Sequence, residues 1–142
     1  MNYIGYSVKR AIIIRAEHGS DIIHFIKKIV EETGIRIATF TAIGALKNAT
    51  LAFYNQETKE YQQINLNAPQ EIACCIGNIT SKNKNPFVHA HAVLADDSGS
   101  VKAGHLLQGI IFASEIHLYE LEGPNLNRTY DQTTGLSLLD IT

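Results

Sequence analysis

The sequence predicts an α+β domain, a mostly antiparallel β-sheet with one principal α-helix packed on it. Three observations carry that prediction. Short apolar runs rich in β-branched residues recur along the chain, separated by turns rich in Asn, Pro, Ser and Gly, which is how strands joined by tight turns read. One stretch, from Ile22 to Val30, instead repeats its apolar residues at helical spacing. The links between runs are short, and short links favour antiparallel neighbours because parallel strands need a crossover.

The first strand is expected over Val8 to Glu17, around Ala11-Ile12-Ile13-Ile14-Arg15. Gly19-Ser20-Asp21 then supplies a turn and an N-cap. In the helix, Ile22, Ile26, Ile29 and Val30 form the apolar face, Ile23 and Phe25 widen it, and Gly34 stops it. Lys27 precedes Glu31 by four residues on the opposite face, a spacing suited to a modest ion pair. From Ile35 to Leu46 the pattern is extended, breaks at Gly44 and resumes over Ala49 to Tyr54, as one bent strand or two. Further strands are expected at Tyr61 to Leu66, Glu71 to Thr80, Phe87 to Leu94, Val101 to Leu106 and Ile110 to Leu121, before a polar, turn-rich tail.

A length of 142 residues suits one domain spanning 1–142, which would bury roughly two-thirds of the surface of the unfolded chain. No stretch resembles a signal peptide, and none approaches the roughly 20 apolar residues of a membrane span. The expected location is therefore the cytoplasm, without a membrane partner. Cys74 and Cys75 are adjacent, so on a strand they point to opposite faces and are poorly placed to share an ion or pair with each other. The net charge of −2 and a basic run no denser than Lys82-Asn83-Lys84 offer little to a phosphate backbone. Phosphate-loop and dinucleotide motifs are missing from the sequence.

The chemistry concentrates in three histidines. In Phe87-Val88-His89-Ala90-His91-Ala92-Val93, alternation puts His89 and His91 on one face of a strand. Alone, such a pair fits a solvated face as well as a metal site. The stretch Leu94 to Lys102 carries Asp96-Asp97-Ser98-Gly99-Ser100 between apolar runs, so it reads as a hairpin that returns His105 towards the pair. Three imidazoles then make a metal site the better reading, with one divalent transition ion per chain and a fourth position open. Zinc is the first expectation, although imidazole also suits manganese, iron and nickel. His18, His24 and His117 are read as structural or solvated. An open ion could also serve an enzyme, a hydrolase or lyase acting on a small molecule, which would need a proton carrier or charge stabiliser nearby. Glu71 is the preferred candidate, with Asp96, Arg15 and Lys102 behind it; a surface or interface carboxylate is an equal reading of Glu71.

The blocks Gly34-Ile35, Ala42-Ile43-Gly44-Ala45-Leu46-Lys47-Asn48-Ala49-Thr50-Leu51, Glu71-Ile72, His89-Ala90-His91-Ala92-Val93-Leu94-Ala95-Asp96, Gly104-His105-Leu106 and Tyr130-Asp131-Gln132-Thr133-Thr134-Gly135-Leu136 resemble, in order and spacing, the PPC domain, the plant and prokaryote conserved domain (DUF296). The resemblance covers nearly the whole chain. It implies a compact α+β fold, a homotrimer, and a metal site at His89, His91 and His105. In plants the domain follows an AT-hook with an Arg-Gly-Arg core, which this sequence lacks. The resemblance therefore implies a binding or regulatory module associated with DNA or with a transcription-related protein partner, more than an enzyme.

Overall fold

Residues 2–141 are described by the computed structural model. The elements are β1 (Ser7–Arg15), α1 (Ile22–Thr33), β2 (Ala38–Asn55), β3 (Glu60–Leu66), β4 (Gln70–Lys82), β5 (Asn85–Ala95), β6 (Val101–Glu122), β7 (Arg128–Tyr130) and β8 (Ser137–Leu139). The expected class holds: every pairing between these strands is antiparallel, and α1 is the single helix among the described residues.

Two long strands organise the sheet. β6 pairs with β2 along one edge, while its other edge serves β5 at its start and β1 at its end. β2 similarly gives its first half to β4 and its second half to β3. Because β4 and β5 also pair, the path β2, β6, β5, β4 returns to β2, and the sheet closes on itself.

β2 is one bent strand, settling the alternative left open by sequence. Its bend lies where Gly44 takes φ +128, at a register shift against β4 between Ala42 and Gly44. The strand starts at Ala38, not Ile35, because the Ile35 N–H donates to the Val30 carbonyl and so still belongs to the helix end. The expected Val101–Leu106 and Ile110–Leu121 strands are also one, β6. The interruption at Leu107-Gln108-Gly109 is absorbed by shifts in the β2–β6 register, and the Gly109 N–H is satisfied by Asp21 Oδ2 at 2.8 Å.

Asp21 caps α1 as expected, its Oδ1 accepting the His24 N–H at 2.9 Å, and Gly34 closes the helix in the left-handed region at φ +68. Ile22, Ile26 and Val30 are buried with Phe40, Leu46, Leu94 and Ile111 in the core. Lys27 and Glu31 approach to 3.9 Å on the exposed side, worth only a few tenths of a kcal/mol at best. Cys75 is buried and Cys74 exposed, as alternation requires, and burial pushes the Cys75 thiol up to about 12. No helix among the described residues is long and apolar enough to cross a membrane.

Candidate metal centre

The hairpin β5–β6 builds the site. Its turn is held by Asp96, whose Oδ1 accepts the Ser98 and Ser100 N–H groups, each at 3.0 Å. The Ser98 hydroxyl bonded to the same oxygen helps hold this carboxyl below its ordinary range. The resulting register sets His91 directly opposite His105, and His89 follows on the same face two residues back. Ring centroids stand 5.1 Å apart for His89–His91, 5.1 Å for His89–His105 and 5.6 Å for His91–His105. One nitrogen from each ring lies within 4.8 Å of the others.

These donors fit a transition ion. Burial, then the neighbouring Arg128 and the other two imidazoles, lower His89 to about 4; burial and then His91 lower His105. Both rings are therefore neutral at pH 7, the state a metal requires. His105 Nδ1 is buried without a hydrogen-bond partner, an orphaned polar atom of the kind a ligand relieves.

A prediction for the metal-free protein follows. The unfolded His89 titrates near 6.5 and the folded one at about 4, so below 6.5 the unfolded chain binds the extra proton. The contribution is present in full above about pH 6.5 and is lost as pH falls towards 4. Melting temperature should fall across that window, and His89→Ala should flatten the fall; an unchanged slope would remove His89 as its source.

Beside the histidines opens a cavity of about 840 Å³. Phe87 continues the face of His89 and His91, Tyr54 and Tyr61 come from β2 and β3, and the tail supplies Arg128 and Tyr130. Tyr61 lies 5.4 Å from the His105 ring. The tail, expected to be polar and turn-rich, forms the β7–β8 hairpin and is tied down where the Tyr54 hydroxyl donates to the Thr134 carbonyl at 2.7 Å. Arg128 reaches across β4, donating from Nε to Thr80 Oγ1 at 3.0 Å and from Nη2 to Asn78 Oδ1 at 2.9 Å.

The other sequence candidates lie elsewhere. Glu71 pairs with Ala95, four residues beyond His91 on β5, which is roughly 13 Å along a strand. It is exposed and does not line the cavity. Asp96 serves the turn, and Lys102 stands opposite Leu94. Arg15, opposite Glu115, lines a separate cavity of about 690 Å³ with His18, whose Nδ1 lies 2.7 Å from the Phe112 carbonyl oxygen. Sequence reasoning missed Arg128, Lys82 and the aromatic wall. Phe87 was detectable, since positions 87, 89 and 91 share one face.

Fold and histidine cluster together describe a small α+β protein with a candidate transition-metal centre. The chain belongs to the Plants and Prokaryotes Conserved domain family, whose model matches residues 3–122. A metal-containing protein from Archaeoglobus fulgidus is 37% identical, with 97% of this chain and 98% of that one aligned at a TM-score of 0.94. A plant- and prokaryote-conserved protein from Pyrococcus horikoshii is 35% identical over 100% of this chain and 99% of its own, also at 0.94. A candidate DNA-binding protein from Bacteroides thetaiotaomicron is 29% identical over 96% and 97%, at 0.86. No functionally curated protein matches the chain.

Proposed function

We propose that this protein is a homotrimeric binding module whose His89, His91 and His105 hold one divalent transition ion, zinc first among the choices, with a small molecule taken up beside it. The observation that carries this reading is the convergence of three imidazoles at the wall of a cavity large enough for such a ligand. When bound, the ion supplies Lewis acidity and an open coordination position. The metal-containing relative from Archaeoglobus fulgidus supports the same reading.

Binding is favoured over a hydrolase or lyase because none of Glu71, Asp96, Arg15 and Lys102, the sequence's candidates for a proton carrier or charge stabiliser, is among the described residues that line the cavity. Glu71 keeps the role of a surface or interface carboxylate.

Self-assembly is supported by the outer face of the sheet. Cross-strand pairing aligns Ile13, His117, Thr41, Ile76 and His91 in one row, with Ile43 beside it. Ile13 is 77%, Ile76 54% and Ile43 53% exposed in the single chain, an apolar surface suited to a partner copy. The row runs on through His91 to His105, so a partner seated on it borders the metal centre. Light scattering should give three times the 15.7 kDa chain mass, and Ile13→Glu should shift the population to smaller species. A monomer mass for the unmodified protein would contradict the assembly.

The Bacteroides relative supports a link to DNA, and the net charge of −2 favours contact through a protein partner. Duplex DNA should then leave the isolated protein unbound even at low salt, where phosphate attraction is strongest. Salt-sensitive binding would replace the partner with direct contact.

A further inference from the structure

We infer that the cavity beside the histidines binds a small organic carboxylate, its charge received by Arg128 and Lys82 and its apolar body lying against Phe87 and Tyr61. This deepens the metal-centre reading and rests on it for the charge of the ion.

The first argument is charge balance. Lys82, Arg128 and three imidazoles line the cavity, and none of its described lining residues is acidic. Arg128 is half-buried, and no carboxylate among the described residues comes within ion-pair distance of it. A guanidinium withdrawn from water without a counter-charge is costly, and a divalent ion nearby deepens the imbalance. An anion in the cavity relieves both.

The second argument counts donors. Of the guanidinium's five N–H groups, one on Nε goes to Thr80, one on Nη1 to the Ser137 carbonyl at 3.0 Å and one on Nη2 to Asn78. One hydrogen remains on each terminal nitrogen, and the sole further contact is a long one from Nη2 to His89 Nδ1, 3.5 Å. One hydrogen on each of two neighbouring nitrogens is the number that the two oxygens of a carboxylate accept.

The third argument is the wall. Phe87 carries both cations over its ring, Arg128 Cζ at 5.2 Å and Lys82 Nζ at 5.3 Å from the centroid. The pair is thus held together at Phe87, in a cavity that Tyr54, Tyr61, Leu136 and Leu138 also line. A charged head with an apolar or aromatic body fits that division better than an inorganic oxyanion does.

Calorimetry on the zinc-loaded full chain tests this with pyruvate, benzoate and phenylacetate as probes, benzamide as the uncharged match and inorganic phosphate as the competing anion. At least one carboxylate should bind. Benzamide and phosphate should bind about tenfold or more weakly than it does, as the loss of a charge-assisted pair implies. Arg128→Met and Lys82→Met should each weaken carboxylate binding about tenfold while zinc is retained, and Arg128→Lys should recover part of the loss. Lys82→Met guards against a folding defect at Arg128, which also ties Asn78, Thr80 and Ser137. Zinc titrations run without any carboxylate separate the two claims. Zinc bound with no carboxylate bound overturns the pocket and leaves the metal centre standing. Carboxylate bound through Arg128 to a chain that takes no zinc supports the pocket and overturns the metal centre. Phosphate binding more tightly than every carboxylate overturns the assignment of ligand class.

Discussion

Zinc should raise the melting temperature of the metal-free protein by roughly 10 °C, and His105→Ala should abolish the rise. An ion that binds only the folded chain stabilises it by about 4 kcal/mol at a free concentration a thousand times its dissociation constant. For a chain of this length each kcal/mol is worth roughly 3 °C. The effect is specific to the cluster because His105 is the ligand delivered by the second strand of the hairpin, directly opposite His91. Its buried Nδ1 has no other partner. Differential scanning fluorimetry with and without zinc reads the shift directly; an equal rise in the variant would place the ion elsewhere.

Gly77→Ala should be strongly destabilising. Gly77 pairs with Ala90, between the two histidines of β5, and its open side is filled by the ring of Phe40, which is 1% exposed. A Cβ at this position would strike that ring and lie 2.5 Å from the His89 carbonyl oxygen. The ring is enclosed by the core and cannot withdraw, so the strands must separate, at a cost of about 3 kcal/mol. The displaced backbone is that of His89, so zinc affinity should fall together with stability. Chemical denaturation and a zinc titration on the same preparation measure both; a variant with unchanged midpoint and affinity would show that the packing between β4 and β5 is looser than described.

Much of this was legible in local sequence because local rules produced it. Alternation put His89 and His91 on one face, the Asp96 turn returned His105, and Asp21 and Gly34 bounded the helix, each within a window of a few residues. Closure of the sheet was not legible. It depends on β2 and β6 being long enough to change partners along their length, and the Gln108-Gly109 interruption that looked like a strand end is absorbed as a register shift. Arg128 was equally hidden: its contacts with Asn78 and His89 span 50 and 39 residues. No periodicity marks a side chain that reaches a site from a tail hairpin. Glu71 stands in one of the blocks that carry the family resemblance, but such a block does not give distance along the neighbouring strand, and the register places it four residues past His91.

The measurement closest to the central claim is anomalous diffraction from crystals of the zinc-loaded protein, recorded on both sides of the zinc absorption edge. A single peak per chain, within bonding distance of His89, His91 and His105 and absent from crystals of the variant lacking all three imidazoles, is the predicted result. A peak elsewhere on the chain, at Cys74 or the Asp96 turn, or none at the histidines, would contradict it.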